Sequence, residues 1–306
     1  MKELVVISGK GGTGKTSLTA CLAALTEDKV LADCDVEAPD LHLLLAPAIQ
    51  QREAFIGGTL AHINSAACTG CGQCIHACRF RAISLAGPAN EFVDYTASIH
   101  AMDCEGCAAC TAVCATYAIT MQPRTTGEWY VSTTRFGPMV HARLQIGQGN
   151  SGKLVSQVRR EARRVAKESG AALVLTDGPP GIGCPVIASI GGATLVLIVV
   201  EPTVSSVHDL RRAAEMVRHF RVPGAVCLNK CDLAPELADE VEAETVRLKM
   251  PLLGRIPYDE TIVESQLAAA SLIEHAPESP AGRAVCELHA VLMQHLAGGN
   301  GHGMTT

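Results

Sequence analysis

Short apolar runs that end in small or acidic residues alternate with stretches of helical periodicity along most of this chain. That alternation predicts a parallel sheet covered by helices on both faces. Leu4 to Ser8 is the first expected strand, Thr16 to Leu25 its helix, and Val30 to Asp35 the next strand. Further strands are expected at Ala172 to Asp177, Thr194 to Val200, Gly224 to Asn229 and Leu252 to Ile256. Helices are expected over Lys153 to Glu168, Ser206 to Phe220, Glu236 to Lys249 and Pro280 to Leu296. The pattern is that of an α/β protein, doubly wound on a mostly parallel sheet.

Between about Gly57 and Pro123 the alternation stops, and eight cysteines crowd into polar, turn-rich sequence. An inserted domain accounts for this break. The expected organisation is residues 1–56 and 124–297 as two parts of one α/β domain, 57–123 as the insert, and 298–306 as a tail. Glu128 to Leu144, rich in β-branched and aromatic residues, reads as a hairpin that returns the chain to the sheet. The glycine-rich tail from Gly298 to Gly303 reads as flexible.

Composition narrows the classes further. The 306 residues are 48% hydrophobic and 18% charged, enough for one large core and a second, smaller one. A formal net charge of −6 supplies no basic field for nucleic acid. The most apolar run, Leu195 to Val200, has the length of a buried strand and is far too short to cross a bilayer, so no stable membrane insertion is expected. Met1-Lys2-Glu3 leads straight into a strand-like run with no secretion signal. Eight of the fourteen cysteines fall into metal-ligand runs and the rest suit a reducing compartment, so a cytoplasmic location is expected.

Gly9-Lys10-Gly11-Gly12-Thr13-Gly14-Lys15-Thr16 fits G-x-x-x-x-G-K-[ST] between an expected strand and an expected helix. The glycines let backbone N–H groups turn inward around phosphate oxygens, aided by the positive end of the helix. Lys15 is expected on the β- and γ-phosphates and Thr16 on Mg²⁺, with Gly9 to Ser17 forming the nucleotide cradle.

The extra lysine in Lys10-Gly11-Gly12-Thr13-Gly14-Lys15-Thr16 resembles the deviant Walker motif of the MinD, ParA, nitrogenase iron protein and Mrp-like family. The resemblance implies that Lys10 reaches across a dimer interface to the other subunit's nucleotide. It further implies nucleotide-dependent pairing, as a homodimer or with a related ATPase. Asp33-Cys34-Asp35-Val36-Glu37-Ala38-Pro39-Asp40 is similar to the family's switch I, in which Asp35 orients the attacking water near Mg²⁺. Leu175-Thr176-Asp177-Gly178-Pro179-Pro180-Gly181 is similar to Walker B leading into switch II, making Asp177 a Mg²⁺ partner. Asn229-Lys230-Cys231-Asp232 resembles the base-recognition segment, with Asn229 and Asp232 the candidates and helix capping the competing role for Asp232. The preference for ATP/ADP over guanine nucleotides rests on the same resemblance.

Cys68-x₂-Cys71-x₂-Cys74-x₃-Cys78 is repeated as Cys104-x₂-Cys107-x₂-Cys110-x₃-Cys114. In such runs the first three thiolates surround one cubane and the fourth ligates the other. The expected sets are Cys68, Cys71, Cys74 and Cys114 for one [4Fe-4S] cluster, and Cys78, Cys104, Cys107 and Cys110 for the second. Zinc is the alternative, which the spacing fits poorly. Arg79 and Ala115 replace the proline usual after the fourth cysteine of bacterial ferredoxins. Two such clusters serve electron transfer to a redox partner protein, or act structurally in a domain with little core.

Cys184 follows switch II at a position similar to a cluster ligand of the nitrogenase iron protein. It lacks a convincing second cysteine, so it and Cys21, Cys34, Cys227, Cys231 and Cys286 are expected to be small buried hydrophobes. Gly147 to Lys153 has the spacing of another phosphate loop, but Leu154 stands where Ser or Thr belongs, so it reads as a loop entering a helix. Over the whole chain the sequence resembles MinD-superfamily ATPases with an inserted ferredoxin domain. That resemblance implies an ATPase whose dimer and switch changes govern electron transfer or partner docking. An Mrp-type cluster carrier and a MinD-like spatial organiser are the alternatives.

Overall fold

The computed structural model describes residues 1–149 and 151–298. Asn150 of the second glycine loop and the tail beyond Gly298 lie outside the described residues. The chain divides into two compact units: Met1–Glu53, Trp129–Leu144 and Ser151–Thr306 form the first, Ala54–Glu128 and Gln145–Asn150 the second. These limits differ from the expected 57–123, because the strands that lead into and out of the insert are longer than their composition suggests.

In chain order the strands are β1 (Lys2–Ser8), β2 (Lys29–Asp33), β3 (Ala48–Ile63), β4 (Ile83–Gly87), β5 (Thr96–Ile99), β6 (Ile119–Thr134), β7 (Gly137–Leu144), β8 (Leu173–Pro180), β9 (Leu195–Val200), β10 (Gly224–Asn229) and β11 (Leu252–Ile256). The helices are α1 (Lys15–Leu25), α2 (Leu41–Leu45), α3 (Gln73–Ala77), α4 (Ala109–Ala112), α5 (Ser151–Ser169), α6 (Cys184–Ile190), α7 (Ser206–His219), α8 (Pro235–Arg247), α9 (Thr261–Leu267), α10 (Leu272–His275) and α11 (Pro280–Gly298). Strands β3 and β6 each run from one unit into the other.

The main sheet has the order β11-β10-β9-β1-β8-β2-β7-β6-β3. Strands β1, β8, β9, β2, β10, β11 and β7 pair in parallel wherever they adjoin. Side chains alternate across it, as a strand of period two requires. Leu4 and Val6 of β1 join Leu195, Leu197 and Val199 of β9 beneath α1 and α11. Val5 and Ile7 join Val196, Ile198 and Val200 on the opposite face, beneath α6, α7 and α8. Each such fully buried side chain contributes about 1.5–3 kcal/mol of transfer free energy, so the two faces are what hold this unit folded.

Strand β2 ends at Asp33, not at Asp35, because the Asp35 N–H turns back onto Asp33 Oδ1 at 3.1 Å and leaves the ladder. Strand β8 runs past Asp177 to Pro180. The expected hairpin starts nine residues earlier than Glu128, since β6 begins at Ile119. Strand β3, α2, α6, α9 and α10 were not expected, being short or carrying mixed polarity.

In the second unit β4 and β5 form a separate antiparallel pair. The cysteine runs repeat in backbone conformation as well as in sequence. Left-handed residues recur at matching offsets: Gly70 and Gly106 (φ 64 and 65), Gly72 and Ala108 (73 and 62), Arg81 and Tyr117 (54 and 54). Gly72 and Ala108 stand directly before α3 and α4. The buried interior is small, built from Ala61, Ile83, Ala97, Ala118 and Ile119 together with Cys68, Cys74 and Cys110.

Candidate functional site

The loop between β1 and α1 takes its shape from two left-handed glycines, Gly12 (φ 81) and Gly14 (φ 87). Gly14 also lies against another element, since a Cβ there would stand 2.3 Å from Asn229 Nδ2. That amide donates to the Thr13 carbonyl at 2.7 Å, so the end of β10 braces the loop from behind. Lys230 adds a second brace, donating to the Gly12 carbonyl at 3.0 Å.

Parallel pairing sets the acidic strand ends in place. Asp177 of β8 is register partner to Asp33 of β2, so two carboxylates sit side by side below the loop. Asp177 accepts from Lys15 Nζ at 2.7 Å, Thr16 Oγ1 at 2.8 Å and Thr19 Oγ1 at 3.0 Å. Burial works against the charge on Lys15, but Asp177 outweighs it and raises the ammonium pKa. Asp33 is fully buried with Oδ2 unpartnered. Burial first, and then the Asp177 charge, push its pKa well above the carboxylate range. Asp35 lies beyond the strand end, half-buried, and is raised to about 6, chiefly by burial with Lys15 opposing.

A cavity lined by Lys15, Thr16, Ser17, Asp35 and the Gly11 to Gly14 loop opens above these groups. A second, more apolar cavity is lined by Asn229, Tyr258, Ile262, Leu18 and Leu272. Gly12, Gly14, Ser17, Leu44 and Gln266 border both. The arrangement offers a glycine loop and a lysine on one side and an apolar slot on the other. A phosphorylated heterocycle with a divalent cation at Thr16 and the carboxylates matches that division.

Lys10 lies apart from this cavity. Its ammonium contacts Glu201 Oε1 at 3.0 Å and Thr203 Oγ1 at 2.7 Å, while Lys230 holds Glu201 Oε2 at 2.8 Å. Burial opposes ionisation of Glu201, but Lys230 and Lys10 prevail and lower its pKa. Asp232 is not brought to the apolar cavity. It is exposed, and its carboxylate accepts the Tyr258 N–H at 2.7 Å, tying β10 to the segment after β11. Nor does it cap a helix, for the residue preceding α8 is Ala234.

Asp33, Thr19, Glu201, Thr203 and Gln266 were not singled out from sequence. Glu201 directly follows the buried strand β9, an acidic strand end that the sequence displays. Thr19 stands one helical turn after Lys15, which puts both on one face.

The second unit carries its own arrangement. Cys68, Cys71, Cys74 and Cys114 line one cavity. Cys78, Cys104, Cys107 and Cys110 line another. Each cavity thus takes three thiols from one run and the fourth from the other. Among the described residues no three His, Cys, Asp or Glu side chains close around a single metal ion. The remaining cysteines divide: Cys21, Cys34 and Cys227 are buried as expected, Cys231 and Cys286 half-buried. Cys184 is exposed, a correction that follows from its place in the first turn of α6, just after Gly183.

The CbiA model, which describes the CobQ/CobB/MinD/ParA nucleotide-binding domain, matches residues 4–272. The chain belongs to this family. An uncharacterised protein of Methanocaldococcus jannaschii is 35% identical over 231 residues, spanning 74% of this chain and 78% of the relative. An uncharacterised ATP-binding protein of the same organism is 27% identical over 123 residues, 40% of this chain and 46% of the relative. Among solved structures, the septum site-determining protein MinD complexed with Mg-ADP from Pyrococcus horikoshii aligns over 97% of both chains. Its TM-score is 0.59 at 17% identity, so this member of the CobQ/CobB/MinD/ParA family has a MinD-like α/β fold. Among the described residues no helix is long and apolar enough to cross a membrane.

Proposed function

We propose that this chain binds ATP with Mg²⁺ at the Gly9 to Ser17 loop, hydrolyses it, and uses the nucleotide state to govern an inserted ferredoxin-like unit holding two [4Fe-4S] clusters. In the first unit Lys15 neutralises the β- and γ-phosphates, Thr16 and Asp177 hold Mg²⁺, and Asp35 orients the attacking water. The Lys15–Asp177 and Thr16–Asp177 bonds keep these groups in place until phosphate and cation take them over. Asn229 borders the base, with its amide N–H₂ engaged by the loop. Lys10, held by Glu201 and Thr203 in the same chain, is released to a partner subunit's nucleotide when two ATP-bound copies pair.

The observation that carries the second half of this reading is the partition of eight thiols into two cavities, three from one run and one from the other in each. That is the crossed set a pair of cubanes requires. Bound clusters supply one-electron transfer to a partner protein, in a reducing compartment such as the cytoplasm. The chain's own contribution is to position the thiols and to shield Cys68, Cys74 and Cys110, which are buried.

Anaerobic purification followed by an EPR-monitored redox titration, with and without MgATP, tests the reading. Two [4Fe-4S]⁺ signals whose potential or line shape shifts with MgATP are expected. Iron-free protein with unimpaired ATP turnover would sink the cluster assignment. Transfer of iron and sulfide to an apo-acceptor protein would replace electron transfer with cluster delivery.

A further inference from the structure

The chain passes between its two units at four points: after Glu53, Glu128, Leu144 and Asn150. Two of these bound the part of the β6–β7 hairpin that lies in the nucleotide-binding unit. Strand β6 begins in the cysteine-rich unit at Ile119 and continues without interruption into the nucleotide-binding unit. Strand β7 ends at Leu144, and the next residue, Gln145, again belongs to the cysteine-rich unit.

Within the nucleotide-binding unit this hairpin is gripped where nucleotide acts. At its tip, Arg135 gives Nε to Glu274 Oε1 at 2.5 Å and Nη2 to Glu274 Oε2 at 2.8 Å. The same Nη2 reaches the Leu44 carbonyl at 2.8 Å and the Ala269 carbonyl at 3.2 Å. Leu44 borders both cavities, and Ala270, Ser271 and Leu272, just beyond Ala269, line the apolar one. The guanidinium also lies 4.8 Å above the Phe136 ring. At the far end, the Leu144 N–H donates to the Val36 carbonyl at 2.9 Å, one residue from Asp35. The adjoining Gln145 N–H donates to the Thr126 carbonyl of β6 at 2.9 Å. A shift at Val36 therefore reaches the second unit through one hydrogen bond and one peptide bond.

We propose that the β6–β7 hairpin carries nucleotide state from the phosphate and base cavities to the cysteine-rich unit, with Arg135 as the positioning residue that couples its tip to the cavity walls. The inference rests on the reading that nucleotide governs the second unit. A paired strand transmits displacement because its ladder bonds and packed side chains move together, whereas a loose connection dissipates it. A guanidinium suits the tip, since one planar fork serves a carboxylate and two carbonyls at once. A lysine ammonium in its place retains charge but loses that geometry.

The test is hydrogen exchange on the cluster-loaded protein with and without saturating MgATPγS, in wild type, Arg135→Lys and Arg135→Ala, with nucleotide occupancy confirmed for each. In wild type, nucleotide should slow exchange several-fold across 119–128 as well as around the phosphate loop. Both variants should keep the protection at the loop and lose that across 119–128, with loss of the nucleotide-induced EPR shift alongside. Arg135→Lys keeps the experiment decisive should the alanine variant fail to fold. Full-sized protection of 119–128 in the variants would overturn the route alone. Its absence from nucleotide-bound wild type would overturn the underlying reading, and the route with it.

Discussion

The two units of this chain are held together by different means. In the nucleotide-binding unit, alternate strand residues feed two apolar layers, and the charged groups of the site rest on that frame. In the cysteine-rich unit, the interior is a handful of alanines and isoleucines packed against thiols. The first unit can be folded with its site empty, because its core is independent of what the loop binds. The second has little apolar area to offset the entropy of ordering its chain, so whatever the thiols hold becomes part of its stability.

Replacing Lys15 with alanine should separate the units most sharply. ATP turnover should fall by about 10²–10³-fold, as when one preorganised electrostatic donor is removed, while iron content and visible absorption remain unchanged. Loss of iron in the same variant would mean that the units do not fold separately. Next in size is the effect of breaking one quartet. Cys114→Ser should abolish the cluster of the first run and Cys78→Ser that of the second, each removing about half the iron and leaving nucleotide binding intact, as read by iron analysis and EPR. A variant that disturbed the cluster of its own run instead would refute crossed ligation.

A third measurement addresses the hairpin within the nucleotide-binding unit. His141 of β7 is buried, stacks on Tyr130 at 4.9 Å and meets Ser132 Oγ at 2.9 Å. Burial, with His42 nearby, pushes its pKa from 6.5 down to about 4. The folded form therefore keeps the ring neutral while the unfolded chain takes up a proton first. Stability from this group is whole above about pH 6.5 and falls as pH drops toward about 4, by up to about 2–3 kcal/mol. Denaturant titrations at pH 7 and pH 5 should show the loss in wild type and a smaller one in His141→Phe, confined to the transition of the nucleotide-binding unit. The smallest effect is expected at Ala108, whose φ of 62 is costly for a residue with a side chain. Ala108→Gly, which restores the residue found at the matching Gly72, should stabilise the second unit by about 0.5 kcal/mol in thermal unfolding.

How far these features were legible differs along the chain. Strands β10 and β11 were read from sequence with their observed limits, since an apolar run bounded by turn residues needs no distant partner to be recognised. Strand β3 was not, because Ala48–Glu53 is exposed and carries no alternation. The loop glycines and Lys15 were legible because their spacing is local. Asp33 was not singled out beside Asp35, because its burial next to Asp177 follows from the pairing of β2 with β8, which no local window contains. The buried disposition expected of Cys184 failed because a small apolar residue in the first turn of a short helix is not committed to the core.

By itself, the sequence determined what local spacing can encode: the glycine loop with its lysine, the two cysteine runs, most of the parallel strands with the longer helices, and the break in alternation between them. Tertiary structure alone decided what depends on residues far apart in the chain. It set Asp177 beside both Lys15 and Asp33, put Asn229 behind Gly14, tied Lys10 to Glu201, and anchored Arg135 to Leu44 and Glu274. The physical reason is that parallel pairing and helix crossovers bring such groups within hydrogen-bonding distance through sheet order and register, which no window of neighbouring residues contains.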